Sequence, residues 1–397
     1  MANTHEKPAA KGVEPKVYTE QDFSDFAHTG PDTLAGRYMR TFWHPILRAA
    51  DLPAGRAYPV TVMSEPFTVY RGHSGKAQVV AAQCAHRGTL LHTGWVEGDD
   101  LRCLYHGWKF DPHGHCVEIP GNSSSAHRNV RIRSYPTEEY MGMVFAYLGE
   151  GEAPPLPRYP EFEGDGVLDV VYKLRPCNYF QVLENNVDPA HTPFTHAVSS
   201  YAEHGLVSVP EVIGEETDWG IAQYSRRPEG VRVSHHIMPT MINIKFQPED
   251  EDGGWKDFIG WRVPVDDFSH MNFLVSYANV SGEAAQRVRA RIARRDAALK
   301  ELPHFEAVAR SVLRGETRLA DHVDHPDLLF IQDCVAQIGQ GVIADRRTEH
   351  LSRSDRLIVL LRRIWTREMR ALAEGRPLKN WQRPSEAIPT IGVEAEI

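Results

Sequence analysis

Two short pairs of metal-binding residues are the first feature of this sequence that could do chemistry. Cys84-Ala85-His86 is followed, after sixteen residues, by Cys103-Leu104-Tyr105-His106. Two thiolates and two imidazoles on two loops could hold either a tetrahedral zinc ion or a cluster of two irons. Zinc sites usually group like ligands together, whereas each loop here brings one cysteine and one histidine. This distribution favours a cluster in which the cysteines bind one iron and the histidines bind the other.

A second candidate site surrounds His191 and His196, which follow Asp188-Pro189 and enclose Pro193. Two histidines five residues apart would diverge by roughly 140° on a regular helix and could not bind one metal. Pro193 lacks a backbone donor and clashes with the preceding turn, so a helix that begins at about Pro189 should kink or loosen there. Such a break would bring the two imidazoles together.

A third ligand for that site must come from elsewhere in the chain, and Asp333 is the best candidate. It lies in the apolar segment LLFIQDCVA, where an unpaired carboxylate would be costly to bury. Two histidines and one carboxylate are a common ligand set for mononuclear iron that binds O₂, because they leave coordination positions open. The alternative is an aspartate on the exposed edge of an amphipathic helix. Asp188 also has a structural interpretation, as the cap of the helix at Pro189.

The elements that must position these residues fall into two groups, separated by the Gly- and Pro-rich segment Gly149–Pro160. Gly and Pro disfavour regular structure, so we place a domain boundary there. Before it, Tyr58–Tyr70 and Met141–Leu148 are rich in strand-forming residues, which predicts a mostly β first domain. After it, the patterns predict a mixed α+β domain with strands at Val231–Phe246, Phe258–Val263 and Met271–Val280 and helices at Pro326–Gln337 and Ser354–Glu374.

The overall composition excludes several classes of protein. Of the 397 residues, 42% are hydrophobic and 24% are charged, and no apolar run approaches the roughly 20 residues that span a bilayer. The net charge of −9, with both signs interspersed, disfavours nucleic-acid binding, and the basic run Arg287–Lys300 is expected to be a solvated helix face. The N-terminal residues lack a secretory signal, and five cysteines in so long a chain indicate reduced thiols, so we expect a cytoplasmic protein.

The residues around both candidate sites resemble one known family. HRGTLL from His86, YHGWKF around His106 and GMVFAYLG from Gly142 resemble the Rieske [2Fe-2S] domain. The second half, with CNYFQVLENNVDPAH ending at His191 and GQGVIADRRTEHLSRSD from Gly339, resembles the α subunit of Rieske non-haem iron ring-hydroxylating oxygenases. The most similar branch is that of phthalate dioxygenases and aromatic O-demethylases of the dehydrodivanillate O-demethylase type.

This resemblance implies a fold and a set of site residues. It implies an all-β Rieske domain at residues 40–150, followed by a mixed α+β catalytic domain of helix-grip, START-like type at residues 151–397, with residues 1–39 packed against it. The implied sites are a Rieske cluster on Cys84, His86, Cys103 and His106, and a non-haem iron on His191, His196 and Asp333. Asp188 would join the two centres across a subunit interface, between His191 and His106 of the partner subunit, and Asn185 would lie near the iron.

The resemblance also implies a function. The chain would be the terminal oxygenase of a homotrimer, using O₂ and electrons from NAD(P)H, delivered by a separate reductase with or without a ferredoxin. It would O-demethylate or hydroxylate an aromatic substrate, expected to be carboxylated and of lignin-derived type. The alternative within the family is a phthalate-type dioxygenase that forms a cis-diol. Alternatives of a different class are a Rieske electron carrier and a zinc-stabilised binding protein.

The substrate pocket is expected among the strands between Val231 and Val280. Basic side chains in and near this region could meet a substrate carboxylate, although a basic residue is more often an ordinary surface charge. The residues concerned are Arg226, Arg227, Arg232, Lys245 and Arg262.

Overall fold

The computed structural model describes residues 18–121, 129–199, 208–228, 230–246 and 256–382. Residues 1–17 lie outside the described residues, so the expectation that residues 1–39 pack against the catalytic domain concerns only residues 18–39 here. Within them, helix α1 (Leu34–Met39) contacts the last helix, α7 (Arg356–Ala373), and the ring of Phe26 stacks on that of Phe180, with centroids 4.5 Å apart.

Three small antiparallel sheets form the first part of the molecule. Their strands are β1 (Trp43–Arg48), β2 (Ala57–Val62), β3 (Glu65–Arg71), β4 (Ala77–Ala81), β5 (Trp95–Glu97), β6 (Asp100–Arg102), β7 (Lys109–Phe110), β8 (Cys116–Glu118), β9 (Ser134–Tyr135), β10 (Thr137–Tyr140) and β11 (Met143–Tyr147). The strand orders are β1-β11-β10, β2-β3-β4-β9 and β5-β6-β7-β8. The last of these sheets carries the second Cys–His pair between β6 and β7.

A seven-stranded antiparallel sheet dominates the second part, in the order β12-β18-β17-β16-β15-β14-β13. These strands are β12 (Val167–Arg175), β13 (Glu211–Glu216), β14 (Gly220–Arg227), β15 (Gly230–Ile237), β16 (Met241–Phe246), β17 (Lys256–Pro264) and β18 (His270–Ala278). The remaining helices are α2 (Tyr179–Asn186), α3 (Thr192–Thr195), α4 (Gly282–Glu301), α5 (Phe305–Leu313) and α6 (Leu328–Gly339).

The two parts pack directly on one another. Trp261 of β17 contacts Phe145 of β11, with ring centroids 5.6 Å apart, and both belong to one continuous hydrophobic cluster. The backbone N–H of Met63, at the turn between β2 and β3, donates to the carbonyl of Pro264 at 2.8 Å. Helix α2 packs against β17 as well. The strand β17 is therefore covered by the first part on one face and by α2 on the other.

The fold class predicted from the sequence is confirmed: an all-β unit is followed by a mixed α+β unit in which helices pack against an antiparallel sheet. The segment Val231–Phe246 is two strands rather than one, because the chain turns at residues 238–240 between β15 and β16. Helices α6 and α7 confirm two predicted helices, each beginning two residues later than expected. The division into domains at 150/151 stays a prediction. No helix among the described residues is long and apolar enough to cross a membrane.

Candidate metal centres

The first Cys–His pair lies on a tight loop after β4 whose backbone is closed by its own hydrogen bonds. The N–H of Cys84 donates to the carbonyl of Thr89 at 2.8 Å, and the N–H of Gly88 donates to the carbonyl of Cys84 at 3.0 Å. Gly88 has a φ of 75°, a conformation that glycine adopts without steric cost. The loop thereby fixes where the Cys84 thiol and the His86 ring point.

The second pair lies on a loop of the same construction. The N–H of Cys103 donates to the carbonyl of Trp108 at 2.8 Å, and the N–H of Gly107 donates to that of Cys103 at 3.1 Å. Gly107 has a φ of 72°, so it matches Gly88 in the first loop. Two loops of similar backbone structure thus present similar ligand pairs.

The thiols and the imidazoles of these loops face different surroundings. Cys84 and Cys103 are buried in a small apolar cluster with Phe110, whereas His86 and His106 are exposed. The two imidazole centroids lie 4.5 Å apart. Trp108 stacks on the His86 ring with its centroid also 4.5 Å away. The arrangement supplies a sulfur side that is buried and a nitrogen side that faces outward.

The chemistry of the buried thiols fits a bound metal centre. Burial, with the Cys103 thiol alongside, raises the pKa of Cys84 to about 11. At neutral pH this thiol would stay protonated on its own, and a bound cation is what stabilises the thiolate. The residues present therefore fit a centre that binds two thiolates in a buried position.

The distribution of ligands over the two loops, one cysteine and one histidine in each, is the argument for a cluster of two irons over a single tetrahedral zinc ion. A second group of possible metal ligands lies elsewhere in the described structure. The ligand atoms of His191, His196 and Asp333 all lie within 4.8 Å of one another.

The chain around His191 differs from the predicted kinked helix. Helix α2 ends at Asn186, a 3-10 turn follows at Pro189–His191, and α3 is a new four-residue helix at Thr192–Thr195. Pro193 lies in the first turn of α3, where its missing N–H has no helical partner to lose. A helical segment does begin at Pro189, as predicted, but it is divided into a 3-10 turn and a short α-helix instead of being kinked at Pro193. The two imidazoles come together, with centroids 5.4 Å apart.

Asp333 completes this group from the remote helix α6. Its Oδ1 lies 3.4 Å from Nε2 of His196. This oxygen is buried and accepts no hydrogen bond of good geometry from the described residues. Burial opposes ionisation of Asp333, but His196, Arg175 and His191 together hold the pKa of the carboxyl below its usual value. A buried, charged oxygen beside two imidazoles fits a divalent metal site.

Hydrogen bonds behind the imidazoles orient them toward Asp333. Nδ1 of His196 donates to Oε1 of Gln332 at 2.8 Å, and Nδ1 of His191 donates to the backbone carbonyl of Asp188. Each bond leaves Nε2 as the nitrogen that can bind a metal. Outer hydrogen bonds of this kind fix the tautomer and the ring orientation of metal-binding histidines.

Asp188 and Asn185 both lie beside His191. Oδ1 of Asp188 accepts from the N–H of Ala190 at 3.0 Å, so the predicted capping contact is present, while Oδ2 lies 3.7 Å from Nδ1 of His191. Burial raises the pKa of the Asp188 carboxyl, although His191 acts in the opposite sense. Nδ2 of Asn185 lies 3.3 Å from Nε2 of His191.

Comparison with known proteins agrees with this geometry. A family model described as the Rieske [2Fe-2S] domain matches residues 42–136. The chain is 31% identical over 360 residues to the 5,5'-dehydrodivanillate O-demethylase oxygenase subunit of Sphingobium sp., covering 88% of this chain and 80% of that protein. The chain belongs to the Rieske non-haem iron oxygenases. As an oxygenase subunit of this family it uses a Rieske cluster and a mononuclear iron, with electrons from a separate reductase.

Other members of the family are similar over most of the chain. The phthalate 4,5-dioxygenase oxygenase subunit of Pseudomonas putida is 24% identical, with 87% of this chain and 84% of that protein covered. The oxygenase in the reduced oxygenase–ferredoxin complex of carbazole 1,9a-dioxygenase has the same fold, with a TM-score of 0.64, 19% identity, and 90% of this chain and 98% of that chain covered. The oxygenase fold of the family thus extends across both parts of this molecule.

Some residues around the iron site could not be identified from the sequence. Gln332 holds His196, and Arg227 donates to the carbonyl of Pro189 at 3.3 Å and to Oγ1 of Thr192 at 3.0 Å, on either side of His191. Of the five basic residues considered for a substrate carboxylate, three form ordinary contacts: Arg226 with Glu211 at 3.2 Å, Lys245 with Asp257 at 3.4 Å, and Arg232 over the ring of Phe246 at 5.3 Å.

Arg227 and Arg262 depart from the surface-charge interpretation, because both are buried. A signal for Arg262 was present in the sequence. It interrupts Ile259–Pro264, a segment that is otherwise apolar and therefore reads as buried on both faces.

Proposed function

We propose that this Rieske oxygenase oxidises carboxylated aromatic compounds, with O-demethylation of a methoxyarene as its principal reaction. The observation that carries the oxygenase chemistry is the buried Oδ1 of Asp333, which lies 3.4 Å from Nε2 of His196, in a group with His191 whose ligand atoms all lie within 4.8 Å of one another. The similarity to a dehydrodivanillate O-demethylase subunit over 88% of the chain supports the substrate class. The phthalate dioxygenase relative supports a carboxylated arene in either reaction.

The proposed roles of the site residues follow their positions. Cys84, His86, Cys103 and His106 would hold the Rieske cluster, and His191, His196 and Asp333 would hold the iron. When bound, these groups supply electron transfer and activation of O₂. The chain's own part is to orient the imidazoles through Gln332 and Asp188, and to place Asn185 against the His191 side of the iron site.

We propose that Asp188 connects the two centres across a subunit interface, in a homotrimer. Its carboxylate is partly exposed, and the cluster-side His106 is exposed in the single chain. Apolar side chains flank both residues: Leu104 and Tyr105 are 56% and 57% exposed, and Phe194 is 71% exposed. Head-to-tail association would bury both apolar surfaces and would let Asp188 accept a hydrogen bond from His106 of the partner subunit.

The proposed working compartment is the cytoplasm. All five cysteines are free and buried, which suits a reducing environment and access to an NAD(P)H-dependent reductase, with or without a ferredoxin.

The reaction would consume one O₂, two electrons and two protons per substrate. Hydroxylation of a methoxy carbon gives a hemiacetal and one water, and the hemiacetal then releases formaldehyde and a phenol.

O₂ uptake and formaldehyde release together test the proposal. The iron- and cluster-loaded enzyme, a surrogate reductase and NADH would be given methoxybenzoates, phthalate and unsubstituted benzoate. We expect uptake with methoxybenzoates and one formaldehyde per O₂. Uptake without formaldehyde would instead support cis-dihydroxylation, the alternative that the phthalate dioxygenase relative favours. No uptake with any aromatic acid would overturn the substrate class.

A further inference from the structure

Arg262 is a buried cation on the face of strand β17 that lies toward helix α2. Its neighbours Trp261 and Val263 turn to the opposite face and join the hydrophobic core, while Arg262 itself is only 7% exposed. Its Nη2 donates to Oδ1 of Asn186, at the end of α2, at 3.1 Å. Nε and Nη1, which carry three N–H bonds between them, are buried and have no acceptor among the described residues.

The position of Arg262 relates it to the iron site. Asn186, which accepts its hydrogen bond, directly follows Asn185, whose Nδ2 lies 3.3 Å from Nε2 of His191. The guanidinium also lies over Gly260, because a Cβ added to that glycine would meet Nη1 at 2.7 Å. The head group is therefore folded along its own strand, between the sheet and the helix that leads into the iron-binding segment.

The charge balance around Arg262 calls for an anion. No carboxylate among the described residues forms an ion pair with it or with Arg175, which is 1% exposed. Burial, together with the charge of Arg175, lowers the pKa of Arg262 to about 9, while Asp333 acts in the opposite sense. The guanidinium is thus still charged at neutral pH. A buried charge without a counter-ion is destabilising, and an anionic ligand would offset that cost.

We propose that Arg262 is the specificity residue that binds the carboxylate of the aromatic substrate, through charge-assisted hydrogen bonds from Nη1 and Nε. This rests on the proposed function, because it assumes a carboxylated substrate. Among the five basic residues considered from the sequence, Arg262 alone combines burial with N–H groups that lack an acceptor in the described structure. Arg175 is a weaker candidate, because only its Nε is buried without an acceptor among the described residues, whereas Arg262 has both Nε and Nη1 in that state.

Thermal unfolding of the loaded, substrate-free enzyme gives a first test. Arg262→Met removes a buried charge that has no counter-ion, so its Tm should equal or exceed that of the wild type. Arg40→Met is the matched contrast, because Arg40 is also buried but is paired with Glu65 at 3.1 Å, and its Tm should fall. A fall in Arg262→Met as large as that in Arg40→Met would show that Arg262 is structural and would overturn the proposal.

Substrate pairs give the second test. With 4-methoxybenzoate and its uncharged amide, Arg262→Gln should raise the KM for the acid by roughly 10- to 100-fold, the range expected for lost hydrogen bonds to a charged group. The KM for the amide should change by less than about 3-fold, and Arg262→Lys should recover part of the preference for the acid. Arg226→Gln, at an exposed arginine paired with Glu211, should leave both values unchanged.

The outcomes separate this inference from the proposed function. If the wild type oxidises aromatic acids and the KM of Arg262→Gln rises equally for the acid and the amide, the substrate class stands and the role of Arg262 is refuted. If the wild type oxidises only the amide, or no aromatic compound at all, the proposed substrate class itself is refuted. A thermal shift of the wild type by benzoate under anaerobic conditions, absent in Arg262→Gln, would support the role without relying on turnover.

Discussion

The two metal centres differ in how their ligands are gathered and in which way the imidazoles face. The cluster residues come from two short loops with matching hydrogen bonds, and His86 and His106 are exposed. The iron residues come from a 3-10 turn, from the residue directly after a four-residue helix and from the remote helix α6, and His196 is buried. The first site therefore presents nitrogen atoms to the outside, whereas the second encloses them beside the proposed substrate pocket.

This difference suits a division of labour. An exposed centre can accept electrons from a separate protein and pass them across an interface. A buried centre excludes water from the oxygen chemistry and keeps the substrate in a fixed position. The contrast also predicts that damage to one site should leave the other intact, because no ligand is shared between them.

The largest effect expected is that of His191→Ala. The variant should lose substrate-dependent O₂ uptake to background, because the iron group would keep only His196 and Asp333. Its red-brown visible absorption should be unchanged, since the cluster loops lie on different elements. The mirror variant Cys84→Ser should lose the absorption instead. Retention of substrate-dependent O₂ uptake in His191→Ala would contradict the proposed role of His191 as an iron ligand.

Asp188→Asn tests the connection between the two centres, and we expect it to have the second-largest effect on turnover. The amide keeps an oxygen that can accept from the N–H of Ala190, so the turn should survive, but it lacks the charge needed between two imidazoles. We expect turnover to fall on the order of 10- to 100-fold with iron content and visible spectrum unchanged. A fall in iron content as large as the fall in turnover would show that Asp188 only helps His191 to bind the iron.

A smaller effect is expected from the hydrogen bond behind His196. Gln332→Met removes the oxygen that accepts from Nδ1 at 2.8 Å, so the imidazole should lose its fixed orientation. We expect affinity for ferrous ion to fall by about 10-fold, with activity largely restored by added iron. Gln332→Glu keeps an acceptor and should retain most of the affinity. Equal loss in both variants would indicate a packing role for Gln332.

The same contrast explains what could be predicted from the sequence. The cluster residues are close in sequence, and the residue types at that spacing limit the chemistry. Fold class, cofactors and family were predicted correctly for the same reason, because they depend on local patterns such as the HRGTLL and YHGWKF flanks.

Features that depend on tertiary contacts were harder to predict from the sequence. Whether Pro193 kinks a helix or begins one depends on where α2 ends, which the local pattern does not specify. The apolar residues around Arg262 indicate a strand buried on both faces, but the groups that cover those faces, the first part of the molecule and α2, follow only from tertiary contacts.

The smallest effect concerns His44, a histidine of β1 outside the two sites. Burial lowers the pKa of its imidazole from 6.5 to about 4. Between these values the unfolded chain binds a proton that the folded chain does not, so this contribution to stability is present above about pH 6.5 and is lost as the pH falls toward 4. The loss should reach about 2 kcal/mol at pH 5.

His44→Gln keeps a donor near the carbonyl of Met39, which His44 Nε2 contacts at 2.8 Å, but it cannot titrate. The fall in Tm from pH 7 to pH 5, measured by calorimetry, should be smaller in this variant than in the wild type. His113→Gln, at an exposed histidine, should leave the pH dependence as it is. If His44→Gln loses Tm in parallel with the wild type, the acid sensitivity comes from other groups, among them His236 and His270, whose pKa values are also lowered by burial.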